Sequence, residues 1–324
     1  MTTLRRLGYL ALLLGFLQVV FGAIVRITGS GMGCGDHWPD CFGSFTPAHS
    51  APTLLVEISH RYGAAALSLA ILALVVVAFS KRNEDGVAGK GGVLRPAVLA
   101  IVLVVVAALF GAVTVKMELT PIVVVTHLAI AMSLLAVIVV MVVRAGGFGA
   151  GQIDAPVPRT FRAARGGAVL VFLALVFGAL TANTPGAALS CQGFPLCRVI
   201  GVSGTPLIIQ ITHRVIAFLI LGHVIGLAIA AHKRGAPRPV RVAAWTALGI
   251  VVLQILVAAA MVEMHLPPTL RSLHQAVGTA LWIVVVAVAA LAAGGRGEAG
   301  AAVHARKPSG GPLVAAATPG VEWT

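Results

Sequence analysis

Charged residues are scarce in this 324-residue chain: they make up 10% of the sequence, and Asp and Glu together number only 10. Aromatic residues are also few, at 6%, whereas hydrophobic residues account for 59%. A water-soluble domain cannot bury that much apolar surface, so the composition excludes a soluble globular protein. The chain is expected to place most of its surface in lipid.

The apolar residues form continuous runs of Leu, Val, Ala and Ile rather than ten-residue segments of alternating hydrophobicity, which indicates helices and not barrel strands. A membrane-spanning helix needs about 20 mostly apolar residues. Eight runs meet that length, at 7–27, 57–80, 94–115, 121–143, 165–183, 207–231, 240–262 and 270–293. The sequence therefore predicts an all-α polytopic membrane protein with eight transmembrane helices.

The net charge of +13 is distributed unevenly along these eight spans. Most Lys and Arg residues lie on one side, and the exceptions are Arg26, Arg61, Lys116, Arg198, Arg214 and Arg271. The positive-inside rule then places both termini in the cytoplasm and the loops after spans 1, 3, 5 and 7 outside. The basic character is thus a topology signal in a lipid bilayer, and we expect no nucleic-acid partner.

The N-terminal apolar run follows Arg5-Arg6, which is also typical of a cleaved signal peptide. We favour a structural first span, because it has a counterpart in span 5. No Arg/Ser-rich transit peptide precedes the run, which favours a bacterial plasma membrane over a mitochondrion.

The two halves of the chain repeat each other. The matching segments are 21–23 with 177–179, 57–61 with 210–214, and 121–127 with 268–274. Four spans are an even number, so both halves share one orientation and should be related by a pseudo-twofold axis along the membrane normal. We predict four-helix halves at 1–143 and 165–293, a cytoplasmic linker at 144–164 and a disordered cytoplasmic tail at 294–324.

Four histidines recur in this repeat, one or two turns inside the outer ends of their spans: His60, His127, His213 and His274. Two histidines on facing helices can supply the axial ligands of a heme iron, so the repeat predicts two heme sites. A lone intramembrane histidine is more often a hydrogen-bonding residue, but a duplicated set favours ligation. Zinc is disfavoured, because no third or fourth ligand recurs beside each pair.

An arginine follows the first histidine of each pair directly. Arg61 and Arg214 could bind heme propionates, since arginine pairs well with carboxylates. The alternative is that both side chains extend to the membrane interface.

The chain has only four cysteines, in two close pairs: Cys34 with Cys41, and Cys191 with Cys197. Neither spacing fits a Cys-x-x-Cys zinc or heme c motif. The outside of a bacterial membrane permits disulfides, so we predict both bonds, each closing a loop over its bundle. A redox exchange with a partner is the alternative, and it stays open for the first pair.

One position differs between the repeated motifs: Glu57 in the first half is Gln210 in the second. Glu57 precedes His60 by three residues, so both share a helix face. A carboxylate near a membrane is costly and is therefore a functional candidate, although an interfacial glutamate facing the loops is the alternative. The difference suggests that the first half performs chemistry and the second holds a cofactor.

Taken together, the eight spans, the duplicated halves, the Glu57-x-x-His60-Arg61 motif, the histidines and the first cysteine pair resemble the heme A synthase family over about residues 5–293. The resemblance implies oxidation of the C8 methyl group of heme O to a formyl group, which gives heme A for terminal oxidases. It also implies that His213 and His274 bind a heme b cofactor. Substrate heme then lies between His60 and His127, with Glu57 as the essential acid.

The expected partners are heme O, heme A and a membrane electron donor, with heme O synthase and a second copy of the chain as further candidates. Two rival functions stay open: a di-heme b-type electron-transfer cytochrome, and a heme transporter or chaperone. A transmembrane electron carrier usually holds its hemes at two depths, whereas all four histidines here lie on the outer side.

Overall fold

A computed structural model of the protein describes residues 1–45, 51–199 and 201–294. Eight long α-helices dominate the described part of the chain. They are α1 (Thr2–Ile27), α2 (Pro52–Ser80), α3 (Leu94–Lys116), α4 (Pro121–Arg144), α5 (Pro158–Asn183), α6 (Thr205–Lys233), α7 (Arg238–Glu263) and α8 (Pro268–Ala292). Each is long and apolar enough to cross a membrane, which confirms the predicted multi-pass architecture.

Several helices extend beyond the apolar runs that predict them. The helix α2 begins at Pro52 and α5 at Pro158, because backbone hydrogen bonding continues through polar flanks that hydropathy does not count. Six of these helices have a proline at their first or second position. A proline there loses no hydrogen bond, because the first N–H groups of a helix have no partner within it. The first turns of α5 thus occupy the second part of the predicted linker.

Each half closes into a four-helix bundle. In the first, α1 packs against α2 and α4 while α3 joins α2 to α4; in the second, α5 packs against α6 and α8 while α7 joins α6 to α8. The halves meet where α4 contacts α8, α1 contacts α8 and α4 contacts α5. Exchanging the halves converts the last two contacts into each other, as a pseudo-twofold arrangement requires.

The core lies between α4 and α8, which are the most enclosed spans. In the 18-residue apolar segment of α8, 61% of the residues are buried, whereas in that of α7 only 17% are buried. Met132, Leu135 and Ile138 of α4 are fully or almost fully buried. The indole N–H of Trp282 in α8 donates to the carbonyl of Met132 at 2.8 Å. The interface between the halves is therefore a packed core with a specific hydrogen bond.

The loops at the histidine end of the molecule also repeat. A 3-10 turn at Ser30–Met32 follows α1, and another at Ala187–Leu189 follows α5, where β1 (Cys191–Gln192) pairs antiparallel with β2 (Arg198–Val199). After α3 the backbone N–H of Leu119 donates to the carbonyl of Thr114, and after α7 the N–H of Leu266 donates to the carbonyl of Met261 in the same way. The predicted tail lies, from residue 295, outside the described residues.

Candidate functional site: two histidine pairs

The four repeated histidines lie at one end of the helix bundles. His60 and His213 are each the ninth residue of α2 and α6, and His127 and His274 are each the seventh residue of α4 and α8. At a rise of about 1.5 Å per residue, all four sit about 9–12 Å inside their helices. All four therefore lie at a similar depth, one pair in each bundle, and the rings of the second pair are in contact.

The second pair lies at a separation that would suit two ligands of one metal ion. The imidazole rings of His213 and His274 have centroids 6.4 Å apart at an interplanar angle of 75°. That separation leaves room for one metal ion between the rings, because each metal–nitrogen bond takes about 2 Å. The Nδ1 atom of His213 lies 3.0 Å from the carbonyl oxygen of Ala174. Donation to that carbonyl fixes the tautomer and leaves Nε2 free to bind a metal.

Glycines on the neighbouring helices make space for the imidazoles. A Cβ atom on Gly178 of α5 would lie 2.9 Å from Cε1 of His213, and one on the equivalent Gly22 of α1 would lie 3.2 Å from Cε1 of His60. Both distances are shorter than ordinary van der Waals contact. Glycine at these positions lets each histidine ring pack directly on a helix backbone.

The first pair is arranged in the corresponding place with different partners. His60 lies on α2 and His127 on α4, at the positions that His213 and His274 occupy on α6 and α8. His127 lies beside the backbone of Ala107 in α3, but its buried Nδ1 atom makes no well-formed hydrogen bond. A buried imidazole nitrogen without a partner is costly unless a ligand satisfies the ring. The first bundle therefore contains a histidine that is not fully satisfied by the protein.

The donor set fits a heme iron better than a bare metal ion. Within the described ranges, no three or more His, Cys, Asp or Glu side chains gather as a metal site. A structural zinc site needs about four protein ligands, whereas a heme iron needs only one or two axial ones. Two imidazoles in a bundle core therefore match the ligation that a heme takes.

Two glutamines that were not predicted from the sequence contact the histidine pairs. Gln18 of α1 places its amide nitrogen 3.0 Å from Nδ1 of His60. Gln254 of α7 places its amide nitrogen 3.1 Å from Nδ1 of His274. An amide in the middle of an apolar span is itself a signal, because an unpartnered polar group in lipid is costly. The sequence shows each amide within an apolar span, but it does not show which histidine the amide contacts.

Glu57 and Arg61 tie α2 to the first disulfide loop (34–41). The Glu57 carboxylate, 4% exposed, accepts the backbone N–H of Cys34 at 2.8 Å and forms an ion pair with Arg61. Arg61 also donates to the carbonyls of Asp40 at 2.7 Å and His37 at 2.9 Å. The loop is thus clamped over the first bundle by a buried charge pair.

The second half keeps the clamp but not the charge pair. Arg214 donates at 2.7 Å to the carbonyls of Gly193 and Cys191 in the second disulfide loop (191–197). Gln210, at the position of Glu57, is 6% exposed, and its buried Oε1 atom has no hydrogen-bond partner. Both arginines therefore hold loops, a role that the sequence did not reveal; binding to heme propionates stays a prediction.

The four cysteines form the two predicted disulfides, Cys34–Cys41 and Cys191–Cys197. The first disulfide is fully buried against Leu54 and Ile58 of α2. On the outer face of the same loop, a hydrogen bond from Lys116 at 3.3 Å holds the pKa of the exposed Asp36 carboxyl below its ordinary value. The first loop is thus attached to both α2 and the end of α3.

An open cavity of about 580 Å³ lies beside the second disulfide loop. Phe194, Glu263 and His265 contribute to its lining, and none of the four repeated histidines does. His223, which has no counterpart in the first half, lies with Nε2 2.8 Å from the carbonyl of Ala163. These residues are accordingly separate from the two histidine pairs.

The comparison with known families agrees with this geometry. Residues 5–286 match the COX15-CtaA family, described as cytochrome oxidase assembly protein. The chain belongs to this family. The match covers both bundles and all four repeated histidines.

Relatives with a named activity cover most of the chain. The heme A synthase of Alkalihalophilus pseudofirmus is 30% identical over 244 residues, which are 72% of this chain and 78% of the relative. The heme A synthase of Bacillus cereus is 28% identical over 273 residues, which are 82% of this chain and 85% of the relative. That of Shouchella clausii is 28% identical over 224 residues, 67% of this chain and 72% of the relative.

Proposed function

We propose that this protein is a heme A synthase, which oxidises the C8 methyl group of heme O to the formyl group of heme A for terminal oxidases. The observation that carries the proposal is a duplicated histidine pair with a buried carboxylate beside only one copy. Membership of a cytochrome oxidase assembly family and the named relatives support the same activity.

The second bundle is proposed to hold a resident heme b between His213 and His274. When bound, this heme supplies one-electron transfer, the chemistry suited to an iron with two histidine ligands. The protein orients His213 through the carbonyl of Ala174 and through close packing on Gly178. Gln210 adds no charge at this site, in keeping with a bundle that holds its cofactor without reacting with it.

The first bundle is proposed to take the substrate heme between His60 and His127. The Glu57 carboxylate lies one turn from His60 on the same helix, and the Cys34 N–H together with Arg61 fixes its position. A fixed carboxylate can stabilise positive charge that develops at the methyl group, or accept the proton that leaves it. The loop clamp therefore sets the place at which this acid acts.

We place the protein in a bacterial plasma membrane with both termini cytoplasmic and loops 1, 3, 5 and 7 outside. The charge asymmetry along the chain supports this orientation. Disulfides in loops 1 and 5 also support it, because disulfides persist in oxidising compartments and are rare in the cytosol. Electrons would then reach the sites from a membrane donor.

The rival di-heme cytochrome is disfavoured by the equal depth of the two histidine pairs, which would not carry an electron across the membrane. Pigment analysis separates the functions. The purified full-length protein is supplied with heme O, dioxygen as the oxidant and an electron donor, and the extracted hemes are separated by chromatography. We expect heme A to form beside retained heme b. Heme b alone, with heme O recovered unchanged, would reject the synthase.

A further inference from the structure

Each histidine pair contains one member that is contacted by a glutamine from the neighbouring helix. The Gln18 amide nitrogen lies 3.0 and 3.2 Å from the two ring nitrogens of His60 and donates to the His60 backbone carbonyl at 2.9 Å. The Gln254 amide nitrogen lies 3.1 and 3.2 Å from the ring nitrogens of His274 and donates to its backbone carbonyl at 3.1 Å. The two arrangements are nearly identical, although they involve different helices.

The bond to the backbone carbonyl determines which end of each amide faces the imidazole. Only the NH2 group can donate to a carbonyl, so the donor end lies against the ring. A strong histidine ligand normally donates its second ring N–H to an acceptor, which fixes the tautomer and raises its basicity. His213 has such an acceptor in the carbonyl of Ala174. His60 and His274 instead face a donor, which makes them weaker iron ligands.

The two glutamines do not occupy equivalent positions in the two halves. In the repeat, Gln18 corresponds to Ala174 and Gln254 corresponds to Ala107. The first bundle therefore has its glutamine on the α2 histidine, whereas the second bundle has its glutamine on the α8 histidine. Each site contains one glutamine, but on opposite members of the pair.

A glycine accompanies each glutamine. A Cβ atom on Gly63 would collide with Oε1 of Gln18, and one on Gly278 would lie 3.2 Å from Nε2 of Gln254. In the opposite halves, where alanine replaces glutamine, the equivalent positions are Ile216 and Ala131. Glutamine and glycine thus occur together and are absent together. This pairing indicates that the contact between glutamine and histidine belongs to the design of both sites.

We propose that Gln18 and Gln254 are positioning residues that make His60 the exchangeable iron ligand of the first site and His274 that of the second. This inference rests on the proposed heme sites. Its consequence differs between the bundles, because only His60 has a carboxylate one turn away. If the substrate heme is held by His60 and His127, release of His60 would leave His127 as its ligand and would free the position next to α2, the helix that also carries Glu57.

The rate of cyanide binding to the full-length protein, loaded with ferric heme at both sites, tests the proposal. Cyanide needs a vacant iron position, so its rate follows the release of the weaker histidine. Gln18→Met removes the amide at similar volume, and Gln254→Met is the matched change in the second site. We expect each variant to slow one kinetic phase about fivefold to tenfold, the effect of one net hydrogen bond. Each should leave the other phase unchanged.

Gly63→Ala gives the same test without removing a polar group, because the added methyl displaces Gln18 from His60. It should slow the same phase as Gln18→Met, and it retains the test if the methionine variant does not fold. Faster cyanide binding in these variants, or unchanged rates in all three, would overturn the inference. Wild-type protein that shows no low-spin spectrum of a heme with two histidine ligands would instead reject the proposed heme sites.

Discussion

Replacement of Glu57 by glutamine separates the roles of the first bundle most sharply. Glu57→Gln keeps an oxygen that can accept the Cys34 N–H, but it removes the charge that pairs with Arg61. Removing one partner of a buried ion pair typically costs about 3–5 kcal/mol. Here the cost should be lower, because Arg61 retains the carbonyls of His37, Pro39 and Asp40.

The second bundle provides a natural reference for that cost. Arg214 already accompanies a glutamine, Gln210, and donates to two carbonyls of its loop. We therefore expect Glu57→Gln to lower the free energy of unfolding by about 1.5–3 kcal/mol, the range for loss of one hydrogen bond to a charged group. Heme binding should persist, since His60 and His127 are unchanged.

The assay measures heme content and heme A formation in the same preparation. Heme extracted from Glu57→Gln should contain bound heme O and heme b, with heme A reduced at least about 100-fold, as expected when a general acid–base group is lost. Gln210→Glu is the reciprocal control and should leave heme A formation intact. Wild-type rates of heme A formation in Glu57→Gln would refute the assignment of chemistry to this carboxylate.

Two further predictions concern packing and charge. Gly178→Ala should push His213 away from the carbonyl of Ala174 and reduce the amount of heme bound in the second bundle, because overpacking typically costs about 1–3 kcal/mol of stability. Gly249→Ala is the matched control, since its Cβ would meet nothing within 4 Å. Equal heme content in the two variants would contradict the reasoning. Folding lowers the pKa of Asp36 below its ordinary value of 3.8. The contact with Lys116 should therefore stabilise the first loop at pH values above 3.8, and this stabilisation should be lost as the pH falls further. Protease cleavage of the loop in wild type and Asp36→Asn should therefore differ at neutral pH and converge in acid, and a difference that persists in acid would be inconsistent with this ion pair.

The four candidate histidine ligands could be found from sequence because they repeat, whereas the residues that contact them could not. His60 and His213 lie in nearly the same local motif, so comparing the halves revealed them. Gln18 and Gln254 lie on different helices of the two halves and have no counterpart, so no repeat pointed to them. Their importance depends on which neighbouring helix packs beside each histidine, which is a non-local property.

The sequence by itself determined the number of spans, the duplication, the histidine pairs and the cysteine pairs, because each is expressed in local composition or in a repeated motif. Only the tertiary structure decided which groups satisfy those residues. It directed Arg61 and Arg214 to loop carbonyls, paired Glu57 with Arg61, and set one glutamine beside one histidine in each bundle. The physical reason is that a buried polar group takes its partner from whichever helix or loop packs against it, and that neighbour is fixed by the packing of all eight helices.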